Sequence, residues 1–245
     1  MYPEIQIAHY KIPSYLLLTL LGGLFGGLFA VYRTKKAGLD VKHALFIILS
    51  GAVGMDIGSR LLYALTLAPG MILRGEPFDI NRLLGGMVFY GGLFGSLLAA
   101  FFYIKKAALS FAAYADVFAP AMALCHAIGR IGCFLAGCCH GADMETPFVI
   151  GSITITQIPV QMMESLFLFI LCIVLTRLKP KRKGGIMQTY LIIYALLRFI
   201  LEFLRGDDLR GHIAFFSVSQ WISIGVVLIW LVKSMAGARV LPKPE

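Results

Sequence analysis

Charge is what this chain has least of. Asp, Glu, Lys and Arg together make up 14% of its 245 residues, where an ordinary soluble domain carries about 25%. Acidic residues are scarcest, 13 against 22 basic ones. That shortage excludes a conventional soluble enzyme, whose surface needs charge to remain solvated. No low-complexity tract, clear internal repeat or long polar linker interrupts the chain, so a solenoid and a soluble appendage are also excluded. The first residues have neither the basic start nor the small-residue cleavage site of a signal peptide, so the first apolar span is expected to be retained.

In place of charge there is apolar length. Hydrophobic residues make up 59% of the sequence, and the mean hydropathy is +0.83. Runs long enough to cross a bilayer, about 20 residues each, recur near 13–33, 44–67, 84–104, 113–133, 160–177, 186–204 and 214–232. The expectation is an all-α, polytopic membrane protein of seven transmembrane helices, forming one domain over residues 1–245. The net charge of +9 is unevenly placed. Loops after the first, third, fifth and seventh spans hold fourteen basic residues, among them Arg33, Lys36, Lys106, Lys179, Lys181, Arg239 and Lys243. The opposite loops hold five: Lys11, Arg74, Arg82, Arg205 and Arg210. By the positive-inside rule the N-terminus is outside and the C-terminus cytoplasmic. The basic excess thus serves topology and anionic lipid, not nucleic acid.

Three arginines remain inside the spans, where a charge costs from about 3 to above 10 kcal/mol. Asp56 and Arg60 are four apart and share a helix face, as an ion pair requires. Arg198, Glu202 and Arg205 fall on one stripe of the sixth span, and Glu164 stands near the start of the fifth. Arg130 has no carboxylate three or four residues away, so it has no local partner and is a candidate for gripping an anion such as a lipid phosphate. Arg130, Glu164 and Arg205 are all expected in the outer half of the membrane, around one polar cavity.

Glycine is concentrated at 85–95, Gly-Gly-Met-Val-Phe-Tyr-Gly-Gly-Leu-Phe-Gly. Gly91 and Gly95 form a small-xxx-small pair suited to close helix approach. Tyr90 among them is either an interfacial anchor or a hydroxyl aimed into the site. Cys133, Cys138, Cys139 and His140 cluster at the outer end of the fourth span. Three readings of the thiols stand side by side. They are small buried apolar residues, a disulfide or redox group on an oxidising face, or metal ligands. The last ranks lowest, because C-x4-C followed by Cys-His lies outside the common zinc spacings.

These motifs together resemble the prolipoprotein diacylglyceryl transferase family. Residues 129–141, Gly-Arg-Ile-Gly-Cys-Phe-Leu-Ala-Gly-Cys-Cys-His-Gly, follow that family's Gly-Arg-x-Gly-Asn-Phe-x-Asn-x-Glu-x-x-Gly without a gap. Tyr15, the run Gly-Ser-Arg-Leu-Leu-Tyr at 58–63, the glycines of 85–95, Pro-Val-Gln-Met-Met-Glu at 159–164, Arg-x-x-x-Glu-x-x-Arg at 198–205 and Ser-Val-Ser-Gln-Trp-Ile-Ser at 217–223 are similar to its other elements, in the same order.

The resemblance implies transfer of the diacylglyceryl group of phosphatidylglycerol to a lipobox cysteine of a secreted preprolipoprotein. Glycerol phosphate would leave, no metal or organic cofactor would be needed, and the setting would be the bacterial cytoplasmic (inner) membrane. It implies that Tyr90, Arg130 and Arg205 are catalytic: the arginines clamp the phosphate, and Tyr90 positions or deprotonates the thiol. Glu164 and Glu202 would orient the arginines. Tyr15, Arg60, Gly91, Gly92, Gly129, Gly132, Gly141 and Arg198 would complete the lipid site.

The chain departs from the pattern at Cys133 and Ala136, where the signature has Asn, and at Cys138, where it has Glu. Ile158 stands for a His and Met163 for a Tyr. A divergent member or paralogue fits these changes. So do two alternatives: the same donor with a non-protein acceptor, or a lipid-binding or thiol-redox membrane protein that no longer transfers lipid.

Overall fold

The computed structural model describes residues 3–7, 10–77, 79–150, 153–180, 182–205, 212–213 and 215–238. The expected charges Lys181, Arg210, Arg239 and Lys243 lie outside the described residues. The helices are α1 Ser14–Lys36, α2 Val41–Leu73, α3 Ile80–Leu84, α4 Phe89–Lys106, α5 Phe111–Ala136, α6 Val160–Arg177, α7 Gly185–Glu202 and α8 Val218–Ala238. Among the described residues six helices are long and apolar enough to cross a membrane, namely α1, α2, α5, α6, α7 and α8.

The seventh expected span, 84–104, corresponds to α4, which is not among the six. Residues 85–88 stay out of the helix, which begins only at Phe89. Its three glycines and its terminal Lys105 and Lys106 then dilute what apolar length is left. The described residues are mostly helical, consistent with the all-α expectation, with short strands as additions. Three antiparallel hairpins occur: β1 Glu4–Ile7 with β2 Tyr10–Pro13, β3 Asp143–Ile150 with β4 Ile153–Gln157, and β5 His212–Ile213 with β6 Phe216–Ser217. Each lies between or before apolar runs, where periodicity in the sequence is weak.

Two compact units share the chain, residues 31–114 in one, and 1–30 with 115–245 in the other. In the first, α2 and α4 pack backbone against backbone. Gly54 and Gly58 of α2 face Gly91 and Gly95 of α4 so closely that a Cβ at any of them would collide with the opposite main chain. This is the small-residue packing that lets helices adhere where lipid competes with every apolar contact. Asp40 caps α2 by accepting from the Lys42 amide at 2.8 Å, and the Tyr114 hydroxyl donates to the Asp40 carbonyl at 3.1 Å.

In the second unit Ala119, Ala123 and Ala127 recur every fourth residue on α5 and admit Leu168, Leu171, Cys172 and Leu175 of α6, with Ile186 and Tyr190 of α7. The outer faces remain apolar: Leu16, Leu20, Leu24 and Leu28 of α1 are all exposed, as a lipid-facing stripe should be. Two polar caps hold helix starts. Asp116 of α5 accepts from the amides of Gly184 and Met187 at 2.6 and 2.9 Å, closing the N-terminus of α7. Ser217 and Gln220 exchange backbone-to-side-chain hydrogen bonds at 2.9 and 3.2 Å, a capping box at the start of α8.

Replacing Gly95 by Val is expected to destabilise the α2–α4 pair by about 1–3 kcal/mol, the usual cost of overpacking. Thermal unfolding in detergent, compared with Gly23→Val, where the side chain meets open space, measures it.

Candidate active site

Five charged residues and a tyrosine, from α5, α6, α7 and the residues just after α7, meet inside the second unit, and the charged ones are nearly withdrawn from solvent. Glu164, 1% exposed, is the centre. It sits in the first turns of α6, and its Oε2 lies 3.0 Å from Arg130 Nε on α5 and 3.7 Å from Arg198 Nη1 on α7. Its Oε1 accepts from the Tyr194 hydroxyl at 2.9 Å, with His126 Nε2 at 3.6 Å. The chain continues along α7, where Arg198 Nη2 lies 2.7 Å from Glu202 Oε2 and also donates to Ser219 Oγ at 3.4 Å. Arg205 Nε lies 3.9 Å from the same Glu202 oxygen.

The partner Arg130 lacks along its own helix is therefore supplied by α6. The structure brings Arg130, Glu164, Arg198, Glu202 and Arg205 together in one run of ion pairs. Among the described residues, three guanidiniums face two carboxylates in this cluster. Arg130 Nε and Arg198 Nη1 are buried within ion-pair distance of Glu164 but satisfy no hydrogen bond. A buried donor left so is costly, and a phosphate oxygen is the group these donors suit.

The glycines divide by role. Gly129 has open space beside it, so a headgroup can approach. Gly132 instead packs on Tyr15 and Leu18 of α1. Gly141 forms a backbone bridge with Arg205, and its amide donates to the Ile158 carbonyl at 2.9 Å. A Cβ there would stand 2.5 Å from the Leu204 carbonyl oxygen. Its need is close packing that fixes Arg205, not access for lipid.

Arg60, Tyr90, Gly91 and Gly92 belong to the other unit. Arg60 is engaged by Asp56 at 3.0 Å and by the Leu84 carbonyl at 2.8 Å, which explains it as a local staple. Tyr90 is 36% exposed at the start of α4, edge-on to Phe89. Gly91 is occupied by the α2 contact, and Gly92 lies against Met55 of the same helix.

Tyr194 and Asp116 were missed in the sequence, and His126 and Gln161 had no partner that the sequence could locate. Tyr194 had a signal, for it precedes Arg198 by one turn on the same stripe. His126 likewise precedes Arg130 by four. Gln161 Nε2 donates to the Cys138 carbonyl at 2.7 Å, tying the loop after α5 to α6. Nothing local announces that contact across 23 residues.

The sulfurs of Cys133, Cys138 and Cys139 lie within 4.8 Å of one another, the one such group of potential metal ligands among the described residues. Partial desolvation pushes the Cys138 thiol above its ordinary value, and Cys139 beside it adds to the shift. A cavity of ≈ 340 Å³ bounded by Leu178, Pro180, Arg182, Gly185 and Trp230 lies at the other ends of α6 and α7 and takes no part in the charge cluster.

With this geometry in view, the comparisons are decisive. The family described as prolipoprotein diacylglyceryl transferase matches residues 4–235. The chain belongs to that family. A phosphatidylglycerol–prolipoprotein diacylglyceryl transferase of Clostridium tetani is 33% identical, covering 89% of this chain and 90% of its own. A second transferase so described, from Clostridium perfringens, is 32% identical over 96% of each chain. One from Bordetella avium is also 32% identical, over 96% of this chain and 94% of its own.

Glu164→Ala leaves two guanidiniums buried without their shared carboxylate and is expected to cost about 3–5 kcal/mol, as when one partner of a buried pair is removed. Tyr194→Phe removes a single hydrogen bond to a charge and is expected to cost about 1.5–3 kcal/mol. Unfolding in detergent ranks the two, and an equal loss from both would contradict the central place of Glu164.

Proposed function

We propose that this chain transfers the diacylglyceryl group of phosphatidylglycerol to the thiol of a lipobox cysteine in a preprolipoprotein, releasing glycerol phosphate. The observation that carries the reading is the buried Arg130–Glu164–Arg198–Glu202–Arg205 cluster, which gathers three guanidiniums from α5, α7 and the residues just after α7. Family membership and the described activities of the relatives support the donor and the acceptor class.

In this reading Arg130 and Arg205 hold the phosphodiester, and Arg198 keeps the two glutamates in place between them. The thiolate of the acceptor attacks the glyceryl carbon. The carbon–oxygen bond to phosphorus breaks, its electron pair leaves with the phosphate, and the guanidiniums offset the growing charge. Tyr90 positions the incoming thiol, a role taken from its place in the family pattern. Gly129 gives the headgroup room. The cytoplasmic membrane of a bacterium is the setting, with α4 as a seventh span, the N-terminus outside and the C-terminus in the cytoplasm. The charge asymmetry of the loops supports that orientation.

Purified protein with phosphatidylglycerol and a lipobox peptide should yield the diacylglyceryl mass shift and free glycerol phosphate. Arg130→Ala should lower the rate by about 10²–10³, the scale for removing one charge-stabilising donor. An undiminished rate in that variant would overturn the assignment of Arg130, and glycerol phosphate without a peptide shift would overturn the acceptor.

A further inference from the structure

Cys133, Cys138 and Cys139 owe their meeting to the way α5 ends. The Gly137 amide donates to the Phe134 carbonyl and the Cys138 amide to the Cys133 carbonyl, both at 3.1 Å, with Gly137 at φ 73°. These paired bonds are a Schellman motif, in which the residue two past the cap touches the residue three before it. That contact is ordinarily between two apolar side chains. Here both partners are thiols, and the C-x4-C interval that looks unlike a zinc pattern is the interval this cap brings together. Cys138 Sγ lies 3.6 Å from the Cys133 carbonyl oxygen.

The third sulfur arrives at a cost. Cys139 has φ 62°, the left-handed region, which is unfavourable by about 1–2 kcal/mol for a residue with a Cβ. The backbone there is held by its neighbours: Gln161 grips the Cys138 carbonyl at 2.7 Å, and the Gly141 amide is fixed to Ile158 at 2.9 Å. The strain buys convergence of a third sulfur, which a disulfide, needing only two, does not use. A tetrahedral ion with metal–sulfur bonds of about 2.3 Å places its sulfurs about 3.8 Å apart, so separations within 4.8 Å close onto an ion by small side-chain rotations.

We propose that Cys133, Cys138 and Cys139 form a three-thiolate site for a thiophilic divalent cation of the zinc class, with a fourth coordination position open. The cation binds as the three thiols release their protons. The resulting group carries one negative charge, and Arg130 stands one helical turn from Cys133 to offset it. Three protein ligands with one vacant position is the arrangement of reactive rather than structural zinc. Cys133 is buried and Cys138 exposed, so the vacant position opens on the Cys138 side.

Resting on the transfer reading, that position receives the acceptor thiol, which gives its proton to water and binds as thiolate. Its sulfur then forms the bond to the glyceryl carbon as the carbon–oxygen bond breaks, and the neutral thioether, a weaker ligand, leaves the ion. Two of the three cysteines, Cys133 and Cys138, occupy positions where the family signature has Asn and Glu. The substitution of polar side chains by sulfur is thereby a change of means.

The test uses the full chain, purified reduced in detergent, titrated with Zn²⁺ and separately with Co²⁺. A single zinc per chain and the intense thiolate-to-cobalt absorption of a tetrahedral site are expected. Cys138→Ser and Cys139→Ser should each weaken binding by about tenfold or more, given that even outer partners of metal ligands carry factors of 10–100. Cys125→Ser and Cys172→Ser should leave binding unchanged. Zinc uptake no greater than in the Cys133→Ser/Cys138→Ser double variant overturns the site, as does recovery of a disulfide that reductant does not convert to a zinc-binding form. Zinc binding without lipid transfer leaves the site standing and removes the transfer reading. Full-rate transfer after chelation removes the thiol-activating role.

Discussion

Glu164 is the carboxylate around which three helices are assembled. Apolar packing alone gives membrane helices little reason to choose one rotation over another, since lipid satisfies an apolar face as well as a neighbouring helix does. A buried carboxylate has no such freedom. It must meet cations and donors or be expelled, and Glu164 meets Arg130 and His126 of α5 together with Arg198 and Tyr194 of α7. Those contacts set the rotation of α5 and α7 about α6. The alanine-and-leucine core below the charges then packs in the register that the charges dictate.

The cluster is a network and not a single pair. A structural staple would pair its charges one to one, as Asp56 and Arg60 do on α2. Here a third guanidinium is added through Arg205, held by the backbone bridge to Gly141. In the proposed function, stability and anion binding draw on the same residues. Sulfur at the end of α5 extends the theme, because Cys133, one helical turn from Arg130, gathers with Cys138 and Cys139 beside the same helix.

Much of this was legible in the sequence. Six of the expected spans coincide with helices long and apolar enough to cross a membrane, since long apolar runs have few alternatives to helix, and the stripe Arg198, Glu202, Arg205 follows from helical spacing alone. Arg130 shows where such spacing stops. Local distance correctly gave it no partner on α5, but the partner lay 34 residues on, on another helix. The third span was read as continuous because its glycines look apolar in a window average, whereas residues 85–88 leave the helix. The hairpins escaped because short strands between spans carry almost no periodic signal. The convergence of the cysteines lay beyond a spacing pattern: in a Schellman turn, residues five apart touch, and Cys139 joins them only through a left-handed backbone that no side-chain pattern announces.

The placement of Glu164 on α6 has a consequence for biosynthesis. A chain made from its N-terminus delivers α5, and with it Arg130, before the carboxylate that neutralises it exists. Until α6 emerges, α5 bears an arginine whose lodging in lipid costs at least about 3 kcal/mol. Only with α7 does Glu164 gain its second guanidinium and its tyrosine donor. The helices that form the site are consequently committed to the membrane as a group, with α5 waiting, and a pause or cut between α5 and α6 strands a charged helix that no later folding step can rescue.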